Sequence, residues 1–336
     1  MQSAIGPIKI FAAGASQELA TAIVKNLQKT DASFKMGESQ ALRFADGECD
    51  IRVRETVRGA DVFIVQSTVG SAKASVNDHL MELLILIDAM RRSSAGRITA
   101  VMPYFGYARQ DRRDRPHAPI SAKLVADMLT AAGADRVLTM DLHSPQVQGF
   151  FNIPLDHLSG VHTFVNYYSC KNYDLKNDYV VVSPDFGSVG RCSILAEALG
   201  VKLVIVEKRR DDTGKPRVVN LIGDVKGKRV ILLDDVISSG STLIEVANKL
   251  KAEGAGDIYA CITHPMFSEK AVDAIVDSPI SEVIVLDTIE VPMEKRHPKI
   301  KRLSVAELFA QAIQGIHSHD SIGKYSKDSK GVLLEG

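Results

Sequence analysis

The chain has 336 residues, 45% hydrophobic and 24% charged, the balance of a globular protein with room for about two ordinary domains. Its 41 basic and 41 acidic residues cancel to a formal net charge of zero, so nothing global argues for a nucleic-acid partner. No apolar run reaches the length of a membrane span, and MQSAIGPIKIF does not read as a signal peptide, so a cytoplasmic protein without a membrane partner is expected.

Strand-like runs alternate with helical patterns along the chain, which predicts an α/β fold with mostly parallel sheets. The expected strands are Lys9–Ala12, Val62–Gln66, Ile98–Met102, Val137–Asp141, Val180–Ser183, Leu203–Val206, Val230–Leu233, Ile258–Thr263 and Val283–Leu286. The expected helices are Gln17–Leu27, Val76–Arg91, Ser121–Ala132, Arg191–Leu199, Ser241–Ala252 and Glu269–Val276. Gly133 and Gly200 stand where helices commonly end in a left-handed residue. The cysteines at 49, 170, 192 and 261 form no CxxC pair, so reduced thiols are expected rather than a disulfide or zinc framework.

Several polar groups follow apolar strands, where open α/β sheets bind ligands. Phe44-Ala45-Asp46-Gly47-Glu48 precedes an alternating run, Cys49–Val53. Asp-Gly reads first as a tight turn, although an aromatic beside two acceptors also suits a purine. Tyr107–Pro116 is a strongly polar loop holding Arg109 and Gln110. Arginine forks suit polyphosphate, and a solvated charge run is the plainer reading. His143 in DLHS and Asp185 in SPDFGS could serve phosphate or a magnesium ion, or be structural. Lys208-Arg209-Arg210 follows the run LVIV and leads into the turn-rich DDTGKPR, so it is either a solvated hairpin or the root of a flap that neutralises a transferring phosphoryl group. His297, His317 and His319 read as surface residues, without a partner at ligand spacing.

The most informative stretch is RVILLDDVISSGSTLIEVANKL, from Arg229 to Leu250. A continuous apolar run ends at Asp234 and Asp235; Ser238, Ser239, Gly240, Ser241 and Thr242 then enter an amphipathic helix. Ser238 or Ser239 would cap that helix in the simplest reading. In the other, N–H groups and hydroxyls at the helix start hold a phosphate while the carboxylates take sugar hydroxyls or magnesium.

A weak repeat runs through the chain: DVFIVQST, RITAVMPYFGYAR and RVLTMDLHS, then YVVVSPDFGS, KLVIVEKRR and RVILLDDVISS. Matching these triplets in order suggests a duplication with its boundary near Phe151–Pro154.

Taken together, FADGE, VNDHLMELLILIDAMRR, PYFGYARQDRR, PISAKLVADML, DLHSPQVQGFF, VVSPD, EKRR, LLDDV and ITHP occur in an order that resembles the ribose-phosphate pyrophosphokinase (phosphoribosyl pyrophosphate synthetase) family. The resemblance runs from about Ile8 to about Ile322. It implies two similar phosphoribosyltransferase-type domains, residues 1–153 and 154–304, with residues 305–325 packing back on the first and a flexible tail at 326–336. It implies transfer of the β,γ-diphosphoryl group of ATP to the C1 hydroxyl of ribose 5-phosphate with Mg2+, in a homo-oligomer, dimer or hexamer, whose ATP site is shared between subunits. Carried over by position, Phe44, Asp46, Glu48, Arg109, Gln110 and His143 would serve ATP. His143 and Asp185 would lie by the metal. Lys208 and Arg210 would be catalytic, and Asp234, Asp235 and Ser238 to Thr242 would hold ribose 5-phosphate. The alternative is a non-catalytic regulatory subunit of such a synthetase.

The chain departs from the family pattern at Ser238 and Ser239, where an acidic residue and Thr are usual. Ser188 replaces a second glycine, and Phe186 a small residue or His. His117 replaces an arginine, and the C-terminal ending is unusual. These last two changes point away from regulation by phosphate and ADP.

Overall fold

The structure is a computed structural model that describes residues 6–171, 173–210, 216–268 and 270–322. The side chains of 209, 210 and 216–219 also lie outside the description, as do the centre of the expected flap, Glu269 and the expected tail.

In chain order the elements are β1 (Ile8–Ala12), α1 (Gln17–Leu27), β2 (Ser39–Arg43), β3 (Cys49–Val53), β4 (Asp61–Val65), α2 (Val76–Arg92), β5 (Arg97–Met102), α3 (Ser121–Ala132), β6 (Arg136–Met140) and β7 (Leu155–Leu158). There follow α4 (Val161–Ser169), α5 (Leu175–Asp178), β8 (Tyr179–Ser183), α6 (Val189–Leu199), β9 (Lys202–Arg210), β10 (Pro216–Ile222), β11 (Arg229–Ile237), α7 (Ser241–Ala252), β12 (Ile258–Pro265), α8 (Ala271–Val276), β13 (Glu282–Leu286), β14 (Ile300–Leu303) and α9 (Ala306–Ser318). Gly133 and Gly200 end α3 and α6 with φ of 115° and 68°, conformations that cost a glycine little.

The chain forms two compact units. The first gathers the chain through Leu158 with Thr288–Glu290 and the segment from Val305 through α9; the second holds Ser159–Asp287 and Val291–Ser304. The first unit ends after Leu158, not at residue 153, because β7 pairs in parallel with β6 and completes its sheet.

The sheet of the first unit runs β1-β4-β5-β6-β7, all parallel. Phe63 and Ile64 of β4 are fully buried, as a strand covered on both faces requires. Helix α2 closes over this sheet with Leu83, Ile87 and Met90 buried; its start is fixed by a reciprocal capping box between Ser75 and Asp78. Helix α9 packs on α1. His317, read as a surface residue without a partner, is half-buried and has one: its Nδ1 lies 2.8 Å from Oδ2 of the fully buried Asp61, and Arg97 Nε donates to the other oxygen at 2.8 Å. These partners lie 256 and 36 residues from Asp61 in the chain, so no local pattern could reveal them.

The second sheet runs β10-β9-β8-β11-β12-β13-β14, parallel except for the antiparallel edge pair β9 and β10. Its core includes Val182, Leu232, Val246, Leu250 and Val283, each at most 0% exposed after rounding. Burying one such side chain stabilises the fold by about 1.5–3 kcal/mol.

The strand orders correct the expected repeat. The series β1-β4-β5-β6-β7 corresponds to β8-β11-β12-β13-β14, and the hairpin β2–β3 occupies the chain position of β9–β10. DVFIVQST therefore matches RVILLDDVISS, and not YVVVSPDFGS. Matching the triplets in order fails because β8 and β9 step in the opposite direction from β4 and β5: the chain leaves β8 to one side and returns to β11 on the other.

Candidate active site

That reversal places a topological switch point between β8 and β11, and open α/β sheets bind ligands outside the carboxyl ends of such strands. Strand β11 pairs with β8 only as far as Leu232, yet stays paired with β12 through Ile237. Asp234 and Asp235 thus lie within a longer strand than expected, on the stretch where its β8 side has opened.

Loop and helix residues after β8 fill that opening. Ser183 Oγ donates to the carbonyl of Asp185 at 2.7 Å, and Ser188 N–H donates to Asp185 Oδ1 at 3.0 Å. Ser188 Oγ donates to Asp234 Oδ1 at 3.1 Å, and that oxygen also accepts the N–H of Asp235 at 3.0 Å. Arg191, from the first turn of α6, places Nη1 3.5 Å from Asp235 Oδ1. Burial, followed by the repulsion of Asp235, pushes the Asp234 carboxyl up to about 7. Arg191 opposes that shift.

After β11 the chain turns through Ser238 and Ser239 into Gly240, whose φ of 77° suits a residue without Cβ, and α7 begins at Ser241. Ser239 and Ser241 hydroxyls lie 3.0 Å apart, and Ser239 Oγ accepts the Ser241 N–H at 3.4 Å. Ser239, Ser241 and Thr242 are exposed, Ser238 is half-buried and Gly240 buried. A helix start leaves N–H groups without intrahelical partners, which favours an anion beside these hydroxyls. The loop is anchored from below: the N–H groups of Met266 and Ser268 donate to the carbonyls of Ile237 and Ser238.

Lys208 is half-buried and lies inside β9, paired with Val218 of β10. The KRR triplet therefore belongs to a strand instead of following one; antiparallel pairing extends β9 beyond the apolar run that marked it in the sequence. The side chain of Arg210 lies outside the described residues.

The other expected residues belong to the first unit. Phe44, Asp46 and Glu48 form the exposed tip of the β2–β3 hairpin, with Phe44 56% exposed. Phe44 N–H donates to the Glu48 carbonyl, Glu48 N–H donates to Asp46 Oδ1, and Gly47 turns at φ 95°. The turn and an outward aromatic coexist. Arg43 at the base pairs with Asp78 at 2.9 Å and Glu82 at 3.0 Å, tying the hairpin to α2. Arg109 and Gln110 are exposed after β5. Gln110 Oε1 accepts the Ser121 hydroxyl at 2.6 Å, so that side chain also anchors the start of α3. His143 is exposed just past β6. No group of three or more His, Cys, Asp and Glu with metal-holding geometry occurs among the described residues.

The chain thus brings together Asp185, Asp234 and Asp235, and adds Ser188 and Arg191, which the sequence reading did not place in the site. A model of the N-terminal domain of ribose phosphate pyrophosphokinase matches residues 8–133, and one of a phosphoribosyl synthetase-associated domain matches residues 201–327. A ribose-phosphate pyrophosphokinase of Caldanaerobacter subterraneus subsp. tengcongensis is 50% identical over 317 residues, 94% of this chain and 97% of that protein.

The chain belongs to the ribose-phosphate pyrophosphokinase family.

A family member from Clostridium tetani is 49% identical over 94% of this chain and 96% of its own length. A solved phosphoribosylpyrophosphate synthetase from Mycobacterium smegmatis superposes with a TM-score of 0.85 at 40% identity, covering 94% of this chain and all of that one. These ribose-phosphate pyrophosphokinase relatives carry the name of the catalytic enzyme, which leaves the regulatory-subunit alternative without support.

Proposed function

We propose that this chain transfers the β,γ-diphosphoryl group of ATP to the C1 hydroxyl of ribose 5-phosphate, releasing phosphoribosyl pyrophosphate and AMP. The observation that carries this reading is the Asp234–Asp235 pair at the switch point, the first half-buried and the second buried, followed directly by the hydroxyl-rich start of α7. Carboxylates at one end and helix N–H groups at the other suit the two ends of a sugar phosphate. Ser238 to Thr242 hold the 5-phosphate; Asp234 and Asp235 accept from ribose hydroxyls and orient C1 toward the donor.

Phe44 presents an exposed ring for adenine, with Asp46 and Glu48 as acceptors for its amine, in a pocket shared with a second subunit of a homo-oligomer, dimer or hexamer. Arg109, Gln110 and His143 serve the ATP phosphates. Lys208 and Arg210 neutralise charge on the diphosphoryl group as it moves. Positioning and charge neutralisation dominate in such transfers, so no residue need act as a strong base.

The donor set fits magnesium. Asp185 and the Asp234–Asp235 pair offer hard carboxylate oxygens, and magnesium commonly takes only one or two carboxylates beside substrate phosphates. His143 and Asp185 would hold it, and when bound it would screen the polyphosphate charge. No helix among the described residues is long and apolar enough to cross a membrane. The proposed product is a precursor for nucleotide biosynthesis, and we place the reaction in the cytoplasm.

The test is incubation of the purified chain with Mg-ATP and ribose 5-phosphate, at several phosphate concentrations. AMP and phosphoribosyl pyrophosphate should form in equal amounts. AMP without the sugar product, or neither, defeats the proposal.

A further inference from the structure

Ser188 is 4% exposed and stands at the N-cap of α6. A serine there ordinarily turns its oxygen back to accept an N–H from the first helical turn. Ser188 makes no such cap hydrogen bond. Its hydroxyl points across the opening between β8 and β11 and donates to Asp234 Oδ1 at 3.1 Å. Its N–H meanwhile donates to Asp185 Oδ1 at 3.0 Å. One residue thus bridges the carboxylates at the ends of the two strands that flank the switch point.

We infer that Ser188 is a positioning residue for the sugar site: its hydroxyl fixes Asp234 Oδ1 so that Oδ2 is presented to a ribose hydroxyl. This rests on the sugar-phosphate reading given above.

The need for such a residue follows from the carboxylate itself. The terminal torsion of aspartate is broad and two-fold, so a single hydrogen bond leaves the plane of the group poorly fixed. The Asp235 N–H reaches Oδ1 from the carboxylate's own strand, at 3.0 Å. Ser188 supplies a second donor to the same oxygen from a different element. Two donors on Oδ1 fix the plane of the carboxyl group and with it the direction of Oδ2. Arg191, in the first turn of α6, restrains Asp235 in a parallel way. A glycine at 188 would keep the N–H to Asp185 and lose the hydroxyl. The inference is therefore about this chain's own serine: it replaces backbone economy with a side-chain brace.

The experiment uses the full chain and the substitutions Ser188→Ala, Ser188→Gly and Ser188→Thr, with melting temperature as the folding control. In Ser188→Ala the KM for ribose 5-phosphate should rise about fivefold, while kcat and the KM for ATP stay within about twofold, the pattern of lost binding to one substrate. Ser188→Gly should match Ser188→Ala, and Ser188→Thr, which keeps a hydroxyl, should recover most of the loss. Calorimetric titration with ribose 5-phosphate should show the same order of affinities.

Equal KM values in the wild type and both hydroxyl-free variants overturn the inference. So does a rise in both KM values that tracks a fallen melting temperature, because that is a folding effect. If Ser188→Ala does not fold, Ser188→Gly against Ser188→Thr decides the same question, and equality between them rejects the role. A wild type that neither binds nor consumes ribose 5-phosphate rejects the sugar-phosphate reading itself; one that binds it as tightly as its hydroxyl-free variants rejects only the role of Ser188.

Discussion

Strand register allows the two units to be compared residue by residue. Asp61 pairs with Ile8, the first residue of β1, and Arg229 pairs with Tyr179, the first of β8. Counting forward from these pairs, Gly14 matches Asp185, Gln66 matches Asp234 and Ser67 matches Asp235. Each acid of the second unit therefore has a neutral counterpart in the first.

The first unit spends those positions on itself. Gln66 Oε1 accepts the Ala15 N–H at 3.0 Å, and its amide donates to the His79 carbonyl and to Glu82. Ser67 takes its N–H to Ser16 Oγ and donates its hydroxyl to the Thr288 carbonyl. Even a methyl group on Gly14 would meet Glu82 Oε2 at 2.8 Å. In the second unit the same strand ends carry unlike chemistry: carboxylates held in place by Ser188 and Arg191, with one raised to about 7. Strand order explains the difference. The first sheet grows from β1 in one direction and has no switch point, so its carboxyl edge at β4 can be closed by polar side chains; the second sheet opens between β8 and β11. A shared architecture does not distribute function evenly, because the opening exists only where the chain reverses direction.

The comparison breaks most visibly at the hairpin next to β8. Lys208→Ala should lower kcat by about 10³-fold, the scale of removing one donor that acts on transition-state charge. Its strand pairing is backbone-made, so the melting temperature should stay within a few degrees of wild type. Steady-state kinetics beside thermal melts check this, and a kcat near wild type removes Lys208 from the mechanism.

The converse experiment places an acid where the first unit avoids one. Gln66→Glu would set a carboxylate against Glu82, which is 5% exposed, and would lose the amide that donates to His79 and Glu82. Leaving buried charge without compensation costs about 3 kcal/mol. Denaturant melts should show that loss while the folded fraction keeps the wild-type KM for ribose 5-phosphate. An unchanged stability would mean that the neutrality of Gln66 does no structural service.

The strands and long helices were legible because apolar runs and 3.6-residue patterns are local. Ser121–Ala132 and Ser241–Ala252 have the same bounds in the sequence reading and in the structure. Strand ends were less legible: β9 continues through Lys208 and Arg209 and β11 through Asp235, because cross-strand hydrogen bonds, not hydrophobicity, extend them. Asp234, Asp235 and the 238–242 turn could be singled out because they are contiguous. Arg191 could not, since its partner Asp235 lies far along the chain and only the β8–β11 pairing brings them together. Ser188 was visible as an unusual residue, but its use was not, because a serine before a helix reads as a cap. The repeat was misaligned for a related reason: string order in sequence does not record which side of a strand the next one joins.

The last expected effect concerns acid and stability, and it again separates the units. Burial first, then Asp235, raises the Asp234 carboxyl from 3.8 to about 7. Between those values the folded protein keeps a proton that the unfolded chain has released. Folded stability must then fall as pH rises through that interval. The contribution is fully present below about 4 and lost as pH passes about 7. Asp234→Asn should flatten that part of the stability profile in the substrate-free protein, whereas Gln66→Ala in the first unit should shift the whole curve and leave its slope alone, since an amide does not titrate. Chemical denaturation at half-unit steps from pH 4 to pH 8 would separate the two, and an unchanged slope in Asp234→Asn would show that the strain of the acidic pair is absorbed elsewhere, with Arg191 on Asp235 the nearest group able to absorb it.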